Sequence, residues 1–199
     1  MRYLLATVFS VLIICFGFSQ NTKSTFCNQK IEVCFLIDAT GSMRPVMEDF
    51  KTSIPEVLRD MKIDWSGWDL EISAVLYRDQ QDEYLTRTFE KTTNLKSFVD
   101  FMQKQYAVGG GDEQESMPTA YQDAINVIKW REGNHPKFII TFTDNDINMS
   151  ATQFKAGRDL GITQLLFPIK GRAGWDGETE SISYLSHFMT NHILSLIHI

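Results

Sequence analysis

Three short polar clusters hold the residues of this chain that are equipped for chemistry. The first reads Asp38-Ala39-Thr40-Gly41-Ser42-Met43, the second Gly109-Gly110-Gly111-Asp112-Glu113-Gln114-Glu115, and the third Thr143-Asp144-Asn145-Asp146. Each supplies carboxylate, hydroxyl or amide oxygens, and none supplies a thiolate or an imidazole. That donor set suits Mg²⁺, Mn²⁺ or Ca²⁺ rather than zinc. Asp38, Thr40 and Ser42 alternate across a tight turn in which Gly41 is expected to take unusual dihedrals, so one carboxylate and two hydroxyls can converge on one cation. The histidines do not compete: His135, His187, His192 and His198 show no ligand spacing and lie away from the acidic clusters. Trp65, Trp68, Trp130 and Trp175 are too dispersed to form an aromatic cage. Gly171 to Gly177 lacks the Gly-Lys-Ser/Thr ending of a phosphate loop and reads as a surface loop, with Trp175 available to a partner.

The elements that must position these clusters follow from hydrophobic periodicity. Ile31 to Ile37 is a nearly continuous apolar run, as in a parallel strand buried on both faces. Val46, Met47, Phe50, Ile54, Val57, Leu58 and Met61 fit one helical face, with Pro55 expected to bend that helix. Leu70 to Tyr77 reads as a second strand and Leu85 to Phe89 as a third, close enough to be antiparallel. Helical patterns follow at Leu95–Tyr106 and Thr119–Trp130. Lys137 to Phe142 and Ile162 to Pro168 are further strands. Between them Ser150 can cap a helix that ends before Gly161. A last helical pattern covers Thr179–Thr190. Strands alternating with helices predict an α/β domain with an open, mostly parallel sheet and helices on both faces. In such sheets ligands bind beyond the carboxyl ends of the strands, where all three clusters fall.

Composition bounds the function. The chain has 199 residues, of which 43% are hydrophobic and 22% charged, which excludes a disordered chain and describes one globular domain. A chain of this size buries roughly two thirds of its unfolded surface, so the core needs no metal or disulfide. The net charge is −6 and Lys and Arg are scattered, so nucleic acid is excluded as an expected partner. Residues 1–19 read as a secretory signal peptide: Arg2, an uncharged run from Tyr3 to Phe18, and small residues at Gly17 and Ser19. The run is short of the ~20 residues that span a bilayer, so no membrane span is expected after cleavage. The mature chain is then secreted or periplasmic, with residues 20–30 a polar tether and 31–193 the domain. Cys34 reads as a buried small apolar residue, held by an extended strand too far from Cys27 for a disulfide. Leu194–Ile199 resembles a translated adaptor and is treated as a non-native tail.

Asp38-Ala39-Thr40-Gly41-Ser42 resembles the metal-ion-dependent adhesion site of von Willebrand factor type A domains, whose pattern is Asp-x-Ser/Thr-x-Ser. The resemblance extends to Tyr77-Arg78-Asp79, Gly109-Gly110-Gly111-Asp112 and Thr143-Asp144, which fall in the order of one bacterial branch of that family. It covers roughly residues 31–192. It implies a Rossmann-like fold, one divalent cation with Mg²⁺ foremost, and a protein-binding or adhesive role without catalysis. Residue by residue it implies metal ligation by Asp38, Thr40 and Ser42 from the first loop and by Asp144 from the third, usually through water. Asp112 takes the second-loop place, where the best-known adhesion domains use Thr. Three carboxylates then leave a formal −1 at the site, so the cation binds more tightly but attracts a partner's carboxylate less. Asp79, Glu115 and Asp146 fall behind the ligands or on the partner-facing rim. Asp79 also reads as half of a loop-ordering pair with Arg78, and Glu115 as a helix-start carboxylate. The family's last central strand and final helix are not matched, so a chain truncated at its C-terminus, with further domains possible, is expected.

Two other readings compete. Asp38 after an apolar strand also suits the nucleophile of an aspartyl-phosphate hydrolase of the haloacid dehalogenase type. In that class the phosphatases place a second Asp where Thr40 stands, and the Gly109–Asp112 segment goes unexplained. The other reading is a structural module whose metal loops are vestigial.

Overall fold

The computed structural model describes residues 29–64, 68–111, 116–144 and 149–168. Strand β1 (Gln29–Asp38) leads through a 3₁₀ turn (Gly41–Met43) into α1 (Arg44–Asp64), followed by β2 (Trp68–Tyr77) and β3 (Thr86–Thr92). Then come α2 (Leu95–Met102), α3 (Met117–Asn126), β4 (Lys137–Thr143), α4 (Ala151–Asp159) and β5 (Ile162–Pro168). The strands form one sheet in the order β3-β2-β1-β4-β5. The β1–β2, β1–β4 and β4–β5 pairs are parallel, and β3 alone runs antiparallel to β2. This is the expected α/β architecture.

Burial on both faces explains the apolar run of β1. Phe35 points to one face, where its ring centroid lies 5.4 Å from Phe50 of α1, 5.6 Å from Phe98 of α2 and 6.5 Å from Phe142 of β4. Cys34 and Leu36 point to the other, into a cluster with Tyr121, Ala120 and Ala124 of α3 and Ile139 of β4. Cys34 is fully buried, and burial pushes its thiol up to about 12, so it serves as a small apolar residue.

Several boundaries differ from the sequence pattern, each for a tertiary reason. β1 opens at Gln29, because Gln29 and Lys30, expected in the tether, pair with Trp68 and Asp69. α1 continues through Pro55 as one helix, since a single missing donor does not outweigh the burial of Phe50, Ile54 and Leu58 on either side of it. α2 stops at Met102 rather than Tyr106: Gln105 Nε2 donates to Phe101 O at 2.9 Å, and Lys51 Nζ draws Gln105 O to 3.1 Å. α3 ends at Asn126 rather than Trp130, whose indole donates to Ala124 O at 2.8 Å and closes the helix end. Ser150 does cap α4, in a reciprocal box with Gln153. The expected helix at Thr179–Thr190, the Gly171–Gly177 loop, the leader and the tail lie outside the described residues.

Near the N-terminal end of β1, Glu32 is fully buried, yet four groups meet its carboxylate or its neighbours. Lys91 Nζ pairs with Oε1, His135 Nε2 lies 2.6 Å from Oε2, and the Arg131 amide donates to Oε2 at 3.1 Å. Lys91 also reaches Glu71 at 3.1 Å, and Arg131 pairs with Glu71 and with Asp69 at 3.0 Å. One network thus ties β1, β2, β3 and the segment before β4.

Close packing of α4 makes a prediction. A Cβ at Gly157 would stand 2.2 Å from Tyr121 Oη and 2.5 Å from Gln164 Nε2. Gly157→Ala is expected to cost about 1–3 kcal/mol through overpacking, more than the ~1 kcal/mol that alanine gains over glycine within a helix. Urea midpoints of Gly157→Ala and of Gly157→Ala with Tyr121→Phe check it. The second change removes the nearer clashing oxygen but leaves the Gln164 contact, so it should recover part of the loss.

Candidate metal centre

β1 is the strand at which the chain order reverses, with β2 on one side and β4 on the other, so a crevice opens beyond its carboxyl end. Asp38 is the last residue of β1, and Thr143 is the last residue of β4. Asp38 is fully buried. Its Oδ1 accepts from the Thr40 amide at 2.9 Å and the Thr40 hydroxyl at 2.7 Å, and its Oδ2 accepts from the Thr143 hydroxyl at 3.2 Å. Thr40 Oγ1 lies 3.3 Å from Ser42 Oγ, and Ser42 is exposed. The turn thus brings a carboxylate and two hydroxyls together, in a row from the sheet interior to the surface.

Gly41 is needed for a different reason than expected. It has no positive φ; instead its amide donates to Gly109 O at 3.0 Å, and a Cβ there would lie 2.9 Å from that oxygen. The constraint is a close backbone approach. Gly109 and Gly110, in the segment packed against Gly41, do take positive dihedrals, at φ +85° and +82°.

Asp144 follows β4 and is half-buried. Its Oδ1 is shielded from solvent and accepts no hydrogen bond from any described residue. Burial pushes the Asp38 carboxyl above the usual range and the negative charge of Asp144 pushes the same way, while the Thr40 and Thr143 hydrogen bonds oppose both. A cation held between the Asp144 and Asp38 carboxylates would offset their mutual repulsion. The hard oxygen set fits Mg²⁺, Mn²⁺ or Ca²⁺. Among the described residues no three His, Cys, Asp or Glu side chains cluster. Asp112, Glu115 and Asp146 lie outside the described residues.

Tyr77-Arg78-Asp79 orders loops. Arg78 is buried, donates to Tyr106 O at 2.7 Å, lies 3.5 Å from Glu83 and packs 4.3 Å from the centre of the Tyr84 ring. Asp79 Oδ2 accepts from the Gly111 amide at 3.1 Å. Sequence reasoning missed Thr143 as an Asp38 partner and missed Asp82 altogether. Asp82 Oδ2 accepts from the amides of Gly110 at 3.1 Å and Asp79 at 3.2 Å. No local spacing signals it, since an Asx-turn carboxylate accepts from an amide two residues on, whereas Asp82 reaches back to Asp79 and across to Gly110.

A doubly wound α/β domain with an oxygen-donor cluster at its switch point defines a recognisable class of binding domain. The profile of the von Willebrand factor type A domain matches residues 32–170, and the chain belongs to that family. Such domains are often engaged in protein–protein interaction, are generally non-enzymatic and commonly hold a divalent cation. The chain is 28% identical over 131 residues to the alpha-protein kinase vwkA of Dictyostelium discoideum, an alignment covering 63% of this chain and 21% of that one. It is 26% identical over 99 residues to an ariadne-like RING finger protein of Acanthamoeba polyphaga mimivirus, covering 50% of this chain and 10% of that protein. The chain thus spans about a fifth of the first relative and a tenth of the second. Among solved structures it is similar to BatB from Bacteroides thetaiotaomicron, with a TM-score of 0.60 at 13% identity, over 85% of this chain and all of that one. An aerotolerance-related membrane protein from Bacteroides fragilis is similar with a TM-score of 0.52 at 18% identity, over 76% of this chain and 78% of that one. These likenesses show the shared fold. No described helix is long and apolar enough to cross a membrane.

Proposed function

We propose that this chain is an exported binding module that holds one divalent cation, Mg²⁺ foremost and Mn²⁺ or Ca²⁺ as alternatives, and presents that face to a protein partner. Asp38, Thr40, Ser42, Asp112 and Asp144 hold the cation, and residues 1–19 direct export to the periplasm or the exterior. Asp79 supports the ligands from behind, and Glu115 and Asp146 belong to the rim. The observation that carries the reading is the fully buried Asp38 with the Thr40 and Ser42 hydroxyls in line and an Asp144 Oδ1 that no described residue donates to. With three carboxylates the loaded site keeps a formal −1, so the partner supplies a neutral oxygen or binds around a cation-held water rather than through a Glu or Asp.

The phosphohydrolase alternative fits less well. Thr40 stands where phosphatases of that class place a second Asp as general acid, and the Gly109 segment that packs against the Asp38 turn has no part in that chemistry.

Thermal unfolding of the whole chain in chelator, then in excess Mg²⁺, Mn²⁺ or Ca²⁺, tests the proposal. A cation that binds only the native state stabilises it by about 2.7 kcal/mol at one hundred times its Kd, so the midpoint should rise by several degrees. A cooperative transition with the same midpoint in chelator and in all three cations would leave the loops vestigial.

A further inference from the structure

The Gly109–Gly111 segment is clamped from both sides, and one side is a residue that the proposed site does not contain. On the inner side, Gly109 O accepts from the Gly41 amide at 3.0 Å, and a Cβ on Gly110 would come within 3.2 Å of Thr40 Cβ. There is no space between this glycine backbone and the turn that carries the two hydroxyls. On the outer side, Asp82 Oδ2 accepts from the Gly110 amide and Asp79 Oδ2 accepts from the Gly111 amide, each at 3.1 Å. Asp79 and Asp82 brace each other, the Asp82 amide donating to Asp79 O at 3.1 Å and the Asp79 amide to Asp82 Oδ2 at 3.2 Å. Two carboxylates therefore grip successive amides of a segment with consecutive left-handed residues, a backbone that a free glycine loop has no reason to keep.

We infer that Asp82 is a positioning residue for the cation site, which it serves through the Gly110 amide by pressing the glycine segment against Thr40 and Gly41. The inference rests on the cation-binding reading above. Without the latch, Gly109 O no longer pins Gly41, Thr40 gains room, and the hydroxyl that bridges Asp38 Oδ1 and Ser42 Oγ loses its fixed direction. Groups hydrogen-bonded to metal ligands typically alter affinity 10- to 100-fold, and Asp82, one contact further back, is expected at the lower end of that range.

The test separates geometry from charge. Asp82→Asn keeps a carbonyl oxygen for the Gly110 and Asp79 amides and removes the negative charge, whereas Asp82→Ala removes both. Mn²⁺ affinity is measured by calorimetry on the whole chain, and amide hydrogen exchange of Gly110 is followed in chelator. Asp82→Ala should weaken Mn²⁺ binding about 10-fold and speed Gly110 exchange, while Asp82→Asn stays within about threefold of the native chain in both. Equal weakening in the two variants would show that Asp82 acts by its charge, and unchanged Gly110 exchange in Asp82→Ala would show that there is no latch. Either result overturns the inference. Absence of Mn²⁺ binding to the native chain would instead remove the cation reading, and the exchange data would still decide whether the latch exists.

Discussion

Replacing Glu32 by alanine is expected to cost about 3–5 kcal/mol, because it removes the buried carboxylate on which a charge network converges. Glu32 is fully buried in β1, and its carboxylate meets Lys91, His135 and the Arg131 amide. After its loss Lys91 keeps, among the described residues, Glu71 and the Lys129 carbonyl, and the Arg131 amide loses its Glu32 acceptor. Domains of this kind are stable by about 5–15 kcal/mol, so the loss is a large part of the whole. The urea midpoint measures it, and a midpoint equal to that of the native chain would refute it. Acid adds a second reading. Burial raises the Glu32 carboxyl, but hydrogen bonds from Lys91, His135 and Arg131 outweigh burial and hold it below its ordinary 4.5. A carboxyl lowered by folding contributes stability that is present above its unfolded pKa and lost as pH falls through the folded one. The native chain should therefore lose stability steadily below about pH 4.5, with Glu32→Gln showing a shallower acid limb.

The second large effect changes sign with the cation. In chelator, Asp38→Asn should unfold at a midpoint equal to or above that of the native chain. It removes a buried negative charge that Asp144 repels, and the asparagine oxygen can still accept from the Thr40 amide and hydroxyl. In saturating cation the order reverses, because the native chain gains about 2.7 kcal/mol at one hundred times its Kd and the variant gains almost none. For a chain of this length each kcal/mol moves the midpoint by about 2–4 °C, so the crossing is measurable by calorimetry. A variant less stable than the native chain by the same margin in both conditions would make Asp38 a purely structural residue. Binding sites commonly keep such charges at the expense of stability in the unliganded state.

Much of this was legible in the sequence because it depends on local chemistry. The unbroken apolar run of β1, the period change into α1 and the Ser150 cap are properties of adjacent residues, and they placed Asp38 and Asp144 at strand ends. The type of donor was legible too, since oxygen-rich loops without Cys or His admit only hard cations.

The remainder is long-range. Glu32 looked like one polar residue in an apolar strand, because its partners stand 59, 99 and 103 positions away. Gly41 was assigned a dihedral role when its constraint is the Gly109 carbonyl, and no spacing rule encodes a contact between two loops. The ends of α2 and α3 were overrun because the side chains that close them belong to residues the helical pattern had counted as inside. Periodicity and donor chemistry by themselves determined an α/β sheet with three oxygen-rich loops at one end. Tertiary structure alone decided which buried charges are paired, which glycine amides Asp79 and Asp82 grip, and which side of Asp38 is spoken for. Those outcomes depend on backbone segments brought within 3 Å by folding, a distance that residues far apart in the chain do not specify.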